Sequence, residues 1–356
     1  MSVKNIAIFF GGQSTEHDIS ILSAMQTINA INKEKYNIYP IYISKSGRWL
    51  YSEKFVSVQA FKNFKEEKYK QVYLKPNSKI LFCNNLINRK VCEIDCALVV
   101  MHGRTGEDGV LQGVLEMSHI PYTSSGVMSL ATTLNKSMMK QIFSSNDFPI
   151  VNYEVFTRVE QASSLKVKFP LVVKPNSLGS SIGIKLCKNK KELVAALEVA
   201  FKFDDVVVVE EAVKDLVEFN CAAYGYKDRV VLSKIERPLS EGEILSFEDK
   251  YVSKGKSKSH SKREIPAKID VELKTKIENL TAKAFRCFDC SGVIRCDFLF
   301  DGENLFINEI NSIPGSLAHY LFDKTFSNLI DNLIEIAIIK FEKENDLLKT
   351  FESSVL

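Results

Sequence analysis

The sequence predicts an α/β fold, and three features point to it. Apolar runs of strand length recur along the chain. Several of them stop at loops rich in glycine or in acidic residues. Segments with helical spacing of apolar residues lie between them. The first run, "NIAIFF" at 5–10, ends at Gly11-Gly12, and apolar positions at Ile19, Leu22, Met25 and Ile28 then mark a helix. "YNIYPIYIS" (36–44) reads as a second strand and "CALVVMHG" (96–103) as a third, so a mostly parallel sheet with functional loops at its strand ends is expected. The lysine-rich stretch 55–90 has weak periodicity and receives no assignment.

From Thr132 the pattern changes. "LNKSMMKQIF" (134–143) is helical, and "FPLVVKPNSLGSSIGIKLC" gives two short strands joined by a glycine- and serine-rich turn. A helix ("KELVAALEVAF") and a buried strand ending in paired acids ("DVVVVEEAV") follow. Further strands, a basic loop at 252–263, a helix at 269–286, the strands "GVIRCDFLF" and "NLFINEIN", and an amphipathic helix near 326–342 complete the chain. Asp301-Gly302 between the last two strands favours a hairpin turn.

Composition narrows the function. The chain has 356 residues, 45% hydrophobic and 26% charged, with a net charge of only +3, so a general nucleic-acid binder is not expected. No apolar run approaches the roughly 20 residues that span a bilayer. The start "MSVKNIAIFFGG" has no long apolar region before a cleavage site, and the sequence reads as cytoplasmic, with no membrane partner. Eight scattered cysteines fit reduced, buried thiols, and the pair Cys287–Cys290 lacks the second pair or histidines of a zinc site.

Chemistry concentrates in three places. Asp297, Glu309 and Asn311 lie on two neighbouring strands, and three hard oxygen donors suit Mg²⁺, which fills its octahedron with phosphate and water. Solvent-facing acids on alternating strands are the plainer alternative. Lys174 precedes Gly179, Ser180, Ser181 and Gly183, a loop whose backbone N–H groups and hydroxyls suit phosphate oxygens, although its order excludes a Walker A motif. Lys136 would add a second cation. Glu210, Glu211 and Glu218 are either a solvated acidic surface or partners of adenine and ribose.

Those residues sit in an ordered series of segments: "GGQSTEHDIS", "MHGRTGEDGVLQGVLE", "IPYTSSG", "NKSMMK", "FPLVVKPNSLGSSIGI", "KY" at 250–251, "GVIRCDF" and "NEINSIPG". From about residue 8 to residue 322 the sequence resembles the D-alanine–D-alanine ligase family. The resemblance implies a three-domain ATP-grasp architecture, α/β in the N-terminal parallel-sheet domain and α+β beyond it. It divides the chain into 1–122 (substrate binding), 123–217 (phosphate loop and adenine site) and 218–356 (metal ligands and a lid loop, 250–263). It implies ATP as a substrate, two Mg²⁺ ions with Mn²⁺ as an alternative, D-alanine as the other substrate, and a homodimer.

Residue by residue, the resemblance makes Asp297, Glu309 and Asn311 the metal ligands. Arg295 binds carboxylate and transferring phosphoryl, and Gly315 offers an N–H to an oxyanion. Glu16 holds the first substrate's ammonium group within a hydrogen-bonded set with Ser180 and Tyr251, and His102 lies near that substrate. Lys136, Lys174, Ser181, Glu211, Ala212, Glu218 and Lys250 bind ATP. His17 and His119 are left as structural. The expected reaction is ATP-dependent formation of D-alanyl-D-alanine through an acyl phosphate, for peptidoglycan precursors.

Three departures stand out. Tyr320 and Leu321 occupy, by spacing, the places of the serine–leucine pair that grips the second substrate's carboxylate in this family, and Asp323 replaces a proline. Asn135 stands where the family often carries Asp, and the stretch before Glu218 lacks a glycine-bearing turn. The first departure leaves D-serine or another amino acid open as acceptor; a non-catalytic ATP-binding protein is a third reading.

Overall fold

A computed structural model describes residues 3–84, 89–239, 262–348 and 350. Three sheets follow one another along the chain. The first has seven strands in the order β6-β5-β4-β3-β2-β1-β7, with β1 at Lys4–Gly11, β2 at Tyr36–Ile43, β3 at Trp49–Tyr51, β4 at Lys70–Lys75, β5 at Ser78–Cys83, β6 at Lys90–Glu93 and β7 at Cys96–Val99. Ile6 to Phe10 are all fully buried. That is the signature of a central strand covered on both faces, and β1 does pair in parallel with β2 and β7. Helix α1 (His17–Ala30) makes the crossover between β1 and β2.

The expectation of a mostly parallel sheet holds only for this β2-β1-β7 centre. From β2 outward to β6 every pairing is antiparallel; the connections β2–β3, β4–β5 and β5–β6 are short enough only for hairpins, while the longer β3–β4 connection carries two short 3-10 turns. This is also the stretch with no sequence assignment. It is held by an aromatic cluster in which Phe64 stacks on Tyr69 at 5.0 Å and Phe55 lies 4.7 Å from Tyr69, an arrangement with no periodic trace in the sequence.

The second sheet is antiparallel, in the order β10-β9-β11-β8, with β8 at Tyr153–Phe156, β9 at Leu171–Pro175, β10 at Lys185–Cys187 and β11 at Val207–Glu211. Helix α5 (Lys190–Ala200) packs on it, capped by the Asn189 side chain. The third sheet runs β14-β13-β12-β15-β16, with β12 at Val217–Tyr226, β13 at Arg229–Leu239, β14 at Lys262–Glu264, β15 at Ser291–Phe300 and β16 at Leu305–Asn311. Its core packs Phe219, Phe298 and Ile307 against Phe285 of α6 (Val271–Cys287) and Phe143 of α4 (Lys136–Ser145). Two shorter helices, α2 (Val110–Met117) and α3 (Val127–Leu134), precede α4. The C-terminal helix α7 (Phe326–Asn345) returns to the first sheet and buries Leu329, Ile330 and Leu333 in the same core as Ile6 and Leu98. Among the described residues no helix is long and apolar enough to cross a membrane, and the eight cysteines are unbridged, all buried except Cys287.

The first and third sheets are joined tightly at Gly292. A Cβ there would lie 2.0 Å from the Thr123 carbonyl oxygen, and its φ is +71°. Beside it, Ser291 Oγ donates to the Ser124 carbonyl at 3.0 Å and Ser125 Oγ to the Ser291 carbonyl at 3.0 Å. Gly292→Ala is therefore expected to lower the urea midpoint sharply. The left-handed backbone alone costs an L-residue roughly 1–2 kcal/mol, and displacement of Thr123 adds to it. An unchanged midpoint would contradict this close crossing.

Candidate active site

Charge is organised first around Lys174. It lies on β9, diagonally across the strand pair from Glu210 on β11, on the same face. Its Nζ donates to Glu210 Oε2 at 2.6 Å and to Asn308 Oδ1 at 2.9 Å. Glu210 is buried and has a second cation, Lys140, at 3.1 Å. Burial alone would raise the Glu210 carboxyl, but the ammonium groups of Lys140 and Lys174 outweigh it and hold the pKa down to about 2. Glu210 is thus committed to ion pairs within the protein. Lys140 is four residues beyond Lys136, on the same face of α4. Lys136 Nζ donates to the Leu178 carbonyl at 2.6 Å and stands 3.5 Å from Glu309 Oε2.

The strand pair β15–β16 supplies the oxygens. Asp297 stands cross-strand from Glu309, and Arg295 from Asn311. A β-bulge follows, since Phe298 already faces Ile307 and leaves Asn308 as the extra residue. The bulge explains how two consecutive side chains, Asn308 and Glu309, both reach lysines, Lys174 and Lys136. Strict alternation would send one of them to the core. Arg295 grips Asp297 through Nε at 2.6 Å and an Nη at 2.7 Å, and Asn311 Nδ2 donates to Asp297 at 3.0 Å. Burial opposes the charge on Arg295, but Asp297 overrides it and the guanidinium stays charged. Among the described residues no group of three or more His, Cys, Asp or Glu could hold a metal. The donor set is instead two carboxylates and an amide, which suits a hard cation that takes its remaining ligands from phosphate and water.

The first sheet contributes Glu16, at the entry to α1. It is buried, and Ser180 Oγ donates to its Oε1. The serine loop lies so close that a Cβ on Gly179 would come within 2.9 Å of Glu16 Oε2. Ser180 and Ser181 both adopt left-handed backbone, with φ of 54° and 58°. His102 is buried, with Nε2 2.9 Å from Ser23 Oγ and a further hydrogen bond to the Ile313 backbone; burial pushes its pKa down to about 4, so the ring is neutral at pH 7. Glu107, in the same loop, accepts from Gly103 N–H at 2.7 Å and from Ile313 N–H at 3.2 Å. Burial, with Glu16 nearby, outweighs the Gly103 and Ile313 amides and the Lys136 ammonium and raises its pKa to about 8.

The turn after β16 begins at Gly315, where a Cβ would meet nothing within 4 Å, so the backbone there is open to close approach. Ser316, Leu317 and Ala318 then carry φ of 51°, 52° and 48°, a left-handed turn that costs L-residues roughly 1–2 kcal/mol each. Leu321 is fully buried. Tyr320 Oη donates at 3.1 Å to the buried Glu236, which also accepts from Asn220 Nδ2 at 2.9 Å. The Arg263 guanidinium lies 4.8 Å from the Tyr320 ring centre and 3.4 Å from Glu236. Burial pushes the Tyr320 phenol up to about 12, which keeps it a neutral donor.

The fold thus gathers Lys136, Lys174, Arg295, Asp297, Glu309 and Asn311 on one side, and Glu16 with Ser180 on the other. These residues come from elements of all three parts of the chain. Two family models match the chain: the D-ala D-ala ligase N-terminus over residues 5–125 and the D-ala D-ala ligase C-terminus over 142–335. The chain belongs to the D-alanine–D-alanine ligase family. It is 38% identical to the D-alanine--D-alanine ligase of Thermosipho africanus, over 99% of this chain and 98% of that one. The Thermosipho melanesiensis ligase is 37% identical over 95% and 94%. Its fold matches the D-alanine-D-alanine ligase of Coxiella burnetii with a TM-score of 0.84 at 27% identity, over 97% of each chain. VanG D-Ala:D-Ser ligase of Enterococcus faecalis matches at 0.80 and 28%, over 94% of this chain and 100% of that one. The architecture is the ATP-grasp fold of these enzymes.

The remaining expected residues have these surroundings. Glu211 is engaged by Asn152 Nδ2 at 2.9 Å and Lys168 N–H at 2.9 Å, and the Ala212 N–H donates to the Pro170 carbonyl at 2.9 Å. Glu218 is on β12, cross-strand from Leu299. Asn135, a departure from the family's usual Asp, caps α4 by accepting from Met138 N–H at 3.0 Å, a task Asp performs equally. His17 and His119 are structural, as expected: His17 bridges the Gly12 carbonyl and Tyr42, and His119 pairs with Asn77. Lys250 and Tyr251 lie outside the described residues. Sequence reasoning missed Lys140, Asn308, Ser23, Glu107 and Glu236. Of these, only Lys140 carried a signal, its helical spacing from Lys136.

Removing the central carboxylate tests this electrostatic frame. Glu210→Gln leaves two ammonium groups facing a neutral amide in the interior, and loss of one partner of a buried pair costs about 3–5 kcal/mol. Because the folded-state pKa of Glu210 lies below its ordinary 4.5, its contribution is complete above that value and disappears as pH falls toward 2. Urea titrations between pH 7 and pH 3 should show a shallower acid loss in Glu210→Gln than in the parent.

Proposed function

We propose that the protein is an ATP- and Mg²⁺-dependent ligase that joins D-alanine to D-alanine through an acyl phosphate, in the cytoplasm, for peptidoglycan precursors. The observation that carries this reading is the facing arrangement of Lys136, Lys174 and Arg295 with Asp297, Glu309 and Asn311. Cations held in place by the protein suit the phosphates, and the oxygen donors suit Mg²⁺. Asp297, Glu309 and Asn311 would hold the metal, with Mn²⁺ as an alternative; bound there, it neutralises phosphate charge.

The chain's own groups then divide the work. Glu16, oriented by Ser180, receives the ammonium group of the first D-alanine and fixes its carboxylate toward the nucleotide. A carboxylate oxygen attacks the γ-phosphorus and ADP departs. Lys174, held in place by Glu210, and Lys136 balance the phosphates, with Ser181 and Lys250 as further contacts. Glu211, Ala212 and Glu218 line the side where adenine and ribose would lie. The amine of the second amino acid next attacks the acyl carbon. Gly315 N–H and Arg295 face the oxygen that gains charge, and inorganic phosphate leaves. His102 stays neutral beside the first substrate. Tyr251 joins the Glu16–Ser180 set, and Lys250 begins a lid over 250–263 that shields the acyl phosphate from water. The domain limits 1–122, 123–217 and 218–356 and a homodimer belong to the same reading.

One observation favours a second reading of the acceptor. Where the family's serine would stand, Tyr320 is hydrogen-bonded to the buried Glu236, with Arg263 over its ring. A phenol, a carboxylate and a guanidinium beside Leu321 offer partners for an acceptor with a polar side chain, such as D-serine, the acceptor named for VanG. A panel of acceptors with labelled D-alanine and ATP, read by product mass, decides between the two. D-alanyl-D-alanine as the main product is expected. Dominant mixed product would favour the second reading, and ATP binding without phosphate release for any amino acid would leave a non-catalytic protein.

Two substitutions sharpen the assignment. Glu309→Gln should lower kcat by a factor of about 10³ or more, on the scale of several kcal/mol for metal-assisted charge stabilisation. Tyr320→Ser should change the KM for the acceptor several-fold while leaving the KM for ATP unchanged, read by phosphate release under saturating first substrate.

A further inference from the structure

We propose that Ser23 and Glu107 are positioning residues for the acyl-transfer step, clamping the segment Ile313–Ser316 so that the Gly315 N–H is held toward the reacting carbonyl. This rests on the ligase reading above and assigns the task to a side chain of α1 and one of the loop after β7, both acting through the backbone of the turn.

The geometry is a bracket. Pro314 and Gly315 are flanked by two amides, and each donates to a side chain from the other end of the chain. Ile313 N–H donates to Glu107 Oε1 at 3.2 Å, and Ser316 N–H donates to Ser23 Oγ at 3.2 Å. Each acceptor is itself anchored. The second oxygen of Glu107 takes the Gly103 N–H at 2.7 Å. Ser23 is buried on α1, and its hydroxyl lies 2.9 Å from His102 Nε2, whose ring also hydrogen-bonds to the Ile313 backbone. Ser316 Oγ donates in turn to Gln26, one helical turn along α1. Pro314 has no N–H of its own, so the Gly315 amide is the donor left between the two tethers.

The turn needs such holding. Ser316, Leu317 and Ala318 are three consecutive non-glycine residues with left-handed backbone, a conformation that persists only where the surroundings impose it. Releasing the tethers lets these residues relax toward ordinary backbone, which rotates the peptide plane that carries the Gly315 N–H. An oxyanion donor must already be aimed when charge develops, so the loss falls on the transition state and not on ground-state binding. His102, Ser23 and Glu107 belong to the loop and helix next to Glu16. The same elements therefore seat the first substrate and aim the donor for the second step.

The test uses the full-length protein with Ser23→Ala, Glu107→Gln and the double variant. Readouts are kcat, the KM values for ATP and D-alanine, and the inhibition constant of a phosphinate dipeptide that mimics the tetrahedral adduct. Each single variant should lose about 10- to 100-fold in kcat, the scale of an ångström-level misplacement of a catalytic group. Its phosphinate affinity should fall in parallel, while the KM for ATP moves less than about threefold, since ground-state contacts are untouched. Because both tethers hold one segment, the double variant should lose less than the product of the two. Ser23→Ala removes a single oxygen atom, so it carries the test alone if Glu107→Gln does not fold. Unchanged kcat, or a kcat loss with full phosphinate affinity, would overturn the clamp in an active parent. A parent that makes no dipeptide would overturn the ligase reading and the clamp with it.

Discussion

Glu210 lies in the interior between Lys174 and Lys140, and the rest of the site depends on that arrangement. A lysine that is to meet phosphate must be fixed in place, yet a buried ammonium without a partner loses its charge. Glu210 resolves the conflict, because it faces both ammonium groups at ion-pair distance and they in turn keep it ionised. Asn308 then holds Lys174 from the third sheet, so the second and third sheets are locked at the point where their charges meet. The cost of this design is specificity of partners: neither lysine can be replaced without exposing the carboxylate that serves both.

The second constraint is geometric. Strands place alternate side chains on opposite faces, yet Asn308 and Glu309 both meet lysines, Lys174 and Lys136. A bulge opposite Asp297 supplies the extra residue, and the same hairpin delivers Arg295, Asp297 and Asn311 by ordinary alternation. Beyond β16 the chain cannot turn by glycine alone, since only Gly315 is available. It adopts three left-handed residues and relies on Ser23, Gln26 and Glu107 to hold them. Strain at the turn and hydrogen bonds from the first sheet are two sides of one arrangement, and they tie the two ends of the chain together at the site.

Much of this was legible in the sequence. Strand-length apolar runs placed β1, β2, β7, β11, β12, β15 and β16 within a few residues. The two-residue spacing of Arg295–Asp297 and Glu309–Asn311 placed their side chains in pairs on one face. What was not legible has physical reasons. The stretch from 55 to 90 builds antiparallel strands around an aromatic cluster, and such packing leaves no period. Glu210 read as one of three acids near a nucleotide because the sequence cannot show that Lys140 and Lys174 enclose it. Asn308 was hidden because a bulge breaks the alternation from which orientation is inferred. Ser23 and Glu107 bond to residues 293 and 206 positions away, at 316 and 313, beyond the reach of any local pattern.

The proposed reaction comes down to a single chemical statement, that an oxygen of the first substrate's carboxylate attacks phosphorus. The most direct measurement supplies D-alanine labelled with ¹⁸O in its carboxylate, together with ATP and Mg²⁺, and reads the mass of the inorganic phosphate released. The account predicts phosphate carrying one ¹⁸O atom from the amino acid. Phosphate released without label, alongside dipeptide formation, would contradict it.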